Sequence, residues 1–297
     1  MKPILFTGAG VAIVTPFDAD NHINFALLET LIAYHLANGT DAIIICGTTG
    51  ESSTLDHEEH TQAVKFAVDC VGDRVPVIAG TGSNDTAYCL KLSLEAQRDG
   101  ADGLLLVTPY YNKTSQAGLV AHFTYVADRV ELPIILYNVP ARTGLNIQPQ
   151  TYRELAKHER IVATKEASGD ISAIAKTAAL CGDDLTIYSG NDDQITALLS
   201  LGGKGVISVL SNVCPQVSHD IVAKFLAGDA AGSLALQLEY LDLCNDLFRD
   251  VNPIPVKEAM CMMGWDVGPC RLPLVPMGEA ARAALRATLI RHGLVEA

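Results

Sequence analysis

With 297 residues, 49% of them hydrophobic and 19% charged, the chain has material for a sizeable core and no compositional mark of disorder. A formal charge of −13 excludes a nucleic-acid-binding surface, which needs clustered Lys and Arg. No uninterrupted apolar run reaches the roughly 18 residues that span a bilayer. The amino-terminal stretch is broken by Pro3, Gly8, Gly10 and Pro16 without a cleavage site, so a cytoplasmic location is expected.

Short β-branched and aliphatic runs follow one another along the chain: GVAIVTPF, DAIIICGTTGE, VPVIAGTGS, DGLLLVTPYY, LPIILYNVP, IVATKEASGD, LTIYSGND and KGVISVLSN. Their starts lie about 20 to 34 residues apart, the spacing of βα repeats, and their near-continuous apolar character suits parallel strands covered on both faces. Between them, FALLETLIAYHLANGT and TAYCLKLSLEAQRDGAD carry apolar residues three and four apart and stop near Gly39 and Gly100, as helices do. Asp56 followed by Glu59 predicts a capping box that opens the helix HEEHTQAVKFAVD.

Eight βα units predict an α/β fold, a (β/α)8 TIM barrel, over 1–226. From 227 to 297 the pattern turns helical in AAGSLALQLEYLDLCNDLFRD and GEAARAALRATLIRHGL, with NPIPVKEAM and PCRLPLVP as proline-rich spacers, so a C-terminal helical domain is expected. A doubly wound open sheet is the alternative, but it wants a GxGxxG turn that GTTGES lacks. His57 and His60 are three apart, not the HExxH spacing, and eight scattered cysteines form no CxxC pair. Reduced packing thiols are expected, with no metal and no cofactor.

A barrel of this kind builds its active site at the C-terminal ends of its strands. The runs close on Thr48 and Thr49, on Tyr110 and Tyr111, on Tyr137 with Arg142 just beyond, on Lys165, and on Gly190. A lysine at an apolar mouth is partly desolvated, which favours the neutral amine that attacks a carbonyl to give a Schiff base. The other reading of Lys165 is a strand-end lysine paired with Glu166, although alternation points the two to opposite faces. Iminium chemistry needs proton transfers, and Tyr137, Thr48 and one of Tyr110 and Tyr111 offer hydroxyls for them. GTTGES offers backbone N–H groups to a carboxylate. Arg142 offers a bidentate donor to a second carboxylate, or is a solvated loop arginine. A phosphate ligand is not expected, because SGNDD places Asp192 and Asp193 after the seventh run and GGKG precedes the eighth.

GTTGES, TPYYN, YNVPARTG, KEASGD, YSGND and NPIPVK together resemble the pyruvate-dependent class I aldolase barrels of the N-acetylneuraminate lyase superfamily, and within it the dihydrodipicolinate synthase family. The resemblance covers nearly the whole chain. It implies a lyase of the carbon–oxygen class that condenses pyruvate, as a Schiff base on Lys165, with L-aspartate 4-semialdehyde in diaminopimelate and lysine biosynthesis. It implies Tyr137 as proton donor and acceptor with Thr48 and Tyr111 completing the relay. Thr49 and Ile207 would contact pyruvate, Arg142 would hold the semialdehyde carboxylate, and Gly190 and Asn252 would lie near the site. In the family Tyr111 enters a neighbouring subunit's site, which implies a homo-oligomer, usually a tetramer of two dimers.

The resemblance further implies an L-lysine effector pocket at Ser52, His57, His60, Asn84 and Tyr110, with Tyr88 standing where lysine-sensitive members often carry glutamate. Weak or absent inhibition is therefore expected. Two other functions fit parts of the pattern. One is a pyruvate-releasing lyase of a sugar acid such as N-acetylneuraminate, which Arg142 disfavours. The other is a non-catalytic lysine-binding barrel, which the joint presence of lysine, tyrosine and threonine disfavours.

Overall fold

In the computed structural model, which describes residues 2–296, eight strands lie parallel in chain order and close on themselves. They are β1 (Gly8–Ala12), β2 (Ala42–Ile45), β3 (Val77–Gly80), β4 (Gly103–Val107), β5 (Ile134–Asn138), β6 (Ile161–Glu166), β7 (Thr186–Ser189) and β8 (Gly205–Ser208). Each falls on one of the eight apolar runs, and β8 pairs back onto β1 from Gly8↔Gly205 onward. β1 begins two residues before its run, because Gly8 already donates to Lys204 O; Ile13 to Phe17 lie beyond the strand.

Alternation along the strands sorts the side chains into two apolar layers. Ala42, Ile44, Ile78, Leu105, Ile135, Tyr137, Ala163, Tyr188 and Ile207 cluster in the lumen. Phe6, arriving just before β1, stacks on Tyr188 at 4.3 Å and accepts a hydrogen bond from its hydroxyl at 2.7 Å. The lumen is thus a packed core and not a pore.

The larger layer lies between strands and helices. The capping box forms as expected, with Asp56 and Glu59 bonded reciprocally at the start of the helix His57–Val71. The same layer runs without interruption into the C-terminal helices, where Leu243, Leu247, Val256, Met260, Leu285 and Leu289 join barrel residues in one cluster.

In this region the expected helical stretch is divided, and one expected spacer needs correction. AAGSLALQLEYLDLCNDLFRD is two helices, Ala230–Glu239 and Leu241–Asp246, broken at Tyr240, whose φ of −96° and ψ of 8° leave the helical range. NPIPVKEAM is no spacer: Ile254–Met262 is a helix, with Pro253 at its cap and Pro255 in its first turn, where a missing N–H costs nothing.

Candidate active site at the barrel mouth

Lys165 is the penultimate residue of β6 and 6% exposed. Register places it beside Tyr137 of β5 on one side and Tyr188 of β7 on the other. Its Nζ lies 4.5 Å from the Tyr137 ring centroid and makes no hydrogen bond or ion pair among the described residues. The pairing with Glu166 does not form. Glu166 points to the opposite face, where it accepts from Asn138 Nδ2 at 2.9 Å, Tyr152 Oη at 2.9 Å and Ser168 N at 3.0 Å. Burial pushes its carboxyl up from the ordinary value, and these hydrogen bonds pull it part of the way back.

Gly190 is a glycine for a steric reason. A Cβ there would stand 3.1 Å from Cγ and Cε of Lys165 and 2.7 Å from Ala167 Cβ, so any side chain would displace the lysine stem. Ile207, fully buried on β8, belongs to the same luminal cluster as Tyr137.

The turn after β2 carries Thr48 and Thr49. The N–H groups of Glu51 and Ser52 are consumed inside the turn, by Thr48 O and Gly47 O, whereas those of Thr48 and Thr49 meet no protein acceptor among the described residues. Two free amides in one turn suit a carboxylate. Thr49 Oγ1 accepts from Asn252 Nδ2 at 3.0 Å, and Asn252 O accepts from Arg142 Nη2 at 3.1 Å. Asn252 therefore joins the threonine turn to the arginine, and its own Oδ1 is buried with no partner among the described residues. Arg142 sits exposed on the short helix Pro140–Thr143, its guanidinium tied to Asn252 O at the mouth.

The tyrosines after β4 stand differently from the expectation that they close the strand beside Lys165. The strand ends at Val107, and Pro109 lies in the following loop. Tyr111 adopts a left-handed backbone with φ of 65° and is 92% exposed. Tyr110 instead lines a cavity of ≈ 350 Å³ together with Thr48, Ser52, His60, Tyr88 and Arg142. Four residues of the expected effector pocket thus share one cavity with two residues of the mouth.

Of the other two, His57 lies 3.5 Å from Tyr88 Oη and 3.3 Å from Glu95, and Asn84 lies in a neighbouring polar cavity, its carbonyl bonded to Asn112. His60 Nε2 donates to Gly80 O at 2.9 Å, and burial lowers its pKa, which keeps the ring neutral.

Two features had no local signature. The carboxylate of Asp192 accepts from the backbone N–H groups of Val209 and Leu210, each at 2.9 Å, so the amides after β8 that could bind a phosphate are filled by the chain itself. Burial raises the pKa of Asp192, against the pull of its hydrogen bonds and of the Lys165 charge. Behind the threonine turn, Glu51 and Lys257 form an ion pair at 3.0 Å with side chains only 2% and 3% exposed. They are 206 residues apart, beyond the reach of any spacing rule.

A family model described as the Dihydrodipicolinate synthetase family matches residues 5–292. The 4-hydroxy-tetrahydrodipicolinate synthase of Lachnoclostridium phytofermentans is 56% identical over 292 residues, covering 98% of this chain and 99% of the relative. That of Acetivibrio thermocellus is 52% identical over 295 residues, covering 99% and 100%. Among solved structures, dihydrodipicolinate synthase from Aquifex aeolicus superposes with a TM-score of 0.96 at 41% identity, covering 98% of this chain and all of that one. DHDPS from Cyanidioschyzon merolae with lysine bound does so with a TM-score of 0.96 at 38% identity, covering 99% and 100%.

Proposed function

The chain belongs to the dihydrodipicolinate synthetase family, and we propose that its mouth carries out the family reaction with Lys165 as the attacking amine. The activity is that of a 4-hydroxy-tetrahydrodipicolinate synthase, which joins pyruvate to L-aspartate 4-semialdehyde in diaminopimelate and lysine biosynthesis. On this reading Lys165 adds to the pyruvate ketone, and the carbinolamine loses water to give an iminium. Loss of a methyl proton gives the enamine, whose carbon attacks the semialdehyde carbonyl while its oxygen takes up a proton. The substrate's own amine then displaces Lys165 as the ring closes. We class the enzyme as a lyase.

One observation carries the reading: Lys165 is buried against Tyr137, and among the described residues no carboxylate or carbonyl binds its amine. Tyr137 moves the protons, with Thr48 and the Tyr111 of a neighbouring subunit as its relay. The free amides of Thr48 and Thr49 take the pyruvate carboxylate, Ile207 and Gly190 shape the space around its methyl, and Arg142, steadied by Asn252, takes the semialdehyde carboxylate. The exposure of Tyr111 in a single chain supports a homo-oligomer, a tetramer of two dimers. No helix among the described residues is long and apolar enough to cross a membrane, in keeping with a cytoplasmic biosynthetic enzyme.

The cavity under Tyr88 is the L-lysine pocket on this reading. With Tyr88 leaning on His57 and no carboxylate at that position, inhibition by L-lysine is weak. Borohydride reduction with pyruvate present, followed by peptide mass mapping, tests the reading. A pyruvate adduct on Lys165 is expected, and an unmodified Lys165 would sink it.

A further inference from the structure

Lys257 presents three ammonium protons and finds three acceptors: Glu51 Oε1 at 3.0 Å, Thr15 O at 3.1 Å and Pro269 O at 2.9 Å. Its Nζ also lies 4.4 Å from the Phe17 ring centroid. The second oxygen of Glu51 accepts from Arg271 N at 2.8 Å. Four chain segments, those after β1 and β2 and two from the C-terminal region, thus meet at one buried pair.

Stability alone does not account for it. A buried ion pair is no better, and often worse, than apolar residues of the same volume, because both charges must be stripped of water. This pair instead sits where it fixes a backbone. Glu51 is a non-glycine residue in the left-handed region, with φ of 54° and ψ of 35°, a conformation that costs on the order of 1 kcal/mol and persists only when its surroundings impose it. Its neighbours are fixed from the same side: Thr15, whose carbonyl binds Lys257, donates its hydroxyl to Gly50 O at 2.6 Å. Asn252, just ahead of the helix that carries Lys257, holds Thr49. The turn is gripped at Thr49, Gly50 and Glu51, and Thr48 is left to line the cavity at the mouth.

We propose that the buried Lys257–Glu51 pair is a positioning device for the reaction, holding the Thr48–Thr49 turn in the geometry that the pyruvate carboxylate and the proton relay require. Neither residue touches substrate; both act through the turn. The inference rests on the proposed function, and the test separates the two. Borohydride labelling with pyruvate first counts competent Lys165 sites, so that every rate is expressed per labelled site.

Lys257→Met should raise the pyruvate KM about tenfold, a displaced turn being enough to weaken a carboxylate contact by that factor, with the semialdehyde KM within about twofold of the parent. Glu51→Gln, whose single carbonyl oxygen can accept from Lys257 or from Arg271 N but not from both, should raise the pyruvate KM in the same direction and by less. Should Lys257→Met fail to fold, the double variant Glu51→Gln/Lys257→Met buries no lone charge and carries the same expected rise. An unchanged pyruvate KM in the folded variants, or a fall of all constants in proportion to the labelled fraction, would overturn the proposal. Failure of the parent protein to label at Lys165 would overturn the reading of the site, and the inference with it.

Discussion

Lys165 and Glu166 are adjacent on β6 and face opposite ways, and the chain treats them oppositely. The luminal amine has a tyrosine ring beside it and no hydrogen bond among the described residues. The outward carboxylate is saturated by Asn138, Tyr152 and Ser168, and Asn138 and Tyr152 are themselves held by Asn146 and Thr164. On this strand the buried polar group that serves the fold is satisfied, and the one that serves chemistry is left with capacity to spare. Substitutions on the luminal side should therefore register in turnover, and those in the outer layer in stability.

The largest expected effect is on the luminal side. Lys165→Met should lower kcat/KM at least about a thousandfold and abolish pyruvate trapping, while the unfolding free energy from denaturant titration changes by no more than about 1 kcal/mol, since no bonded partner among the described residues is orphaned. Comparable losses of stability and activity would break the contrast. Glu166→Leu should do the reverse, costing about 2–4 kcal/mol because Asn138, Tyr152 and Ser168 lose a shared acceptor, while the folded fraction still labels at Lys165.

Gly190→Ala tests the boundary between the two sides. Its methyl must push the lysine stem, so about 1–3 kcal/mol of overpacking should come with a fall of roughly tenfold or more in turnover. Unaltered kinetics would show that the stem has room.

The smallest effect concerns His35, fully buried in the outer layer with Nε2 unpartnered and its pKa lowered by burial from 6.5 to about 3. The unfolded chain takes up a proton on this ring below about pH 6.5 and the folded chain does not, so stability is present above that pH and is lost as pH falls toward 3. At about pH 5.5 the loss should be about 1 kcal/mol, and His35→Leu should remove it without altering turnover. Thermal melts of both proteins across this range check it. A pH dependence that survives the substitution would assign it to another group.

The fold was legible because each strand is a short apolar run and each repeat is long enough for one strand and one helix; no long-range contact had to be known. Lys165, Tyr137 and Thr48 were legible for the same reason, being the polar residues on which those runs close. Proline misled at NPIPVKEAM, where it opens a helix that a rule about helix breakers ends. What no pattern could disclose were pairings across the barrel: Glu51 with Lys257, Asp192 with the amides after β8, and Asn252 between Thr49 and Arg142. Tyr111, 92% exposed in the single chain, belongs to a further kind, since the role proposed for it needs a second subunit.

The cavity that runs from Thr48 and Arg142 to Tyr88 has a thermodynamic consequence that holds whatever enters it. A guest there shares two wall residues with the mouth, so the two cannot be occupied independently unless those walls stay still. If a guest changes the affinity for pyruvate by some factor, pyruvate changes the affinity for the guest by the same factor. Pyruvate is thus the sensitive probe of that cavity: a guest bound too weakly to slow the enzyme visibly should still be gripped or released as the keto acid is titrated.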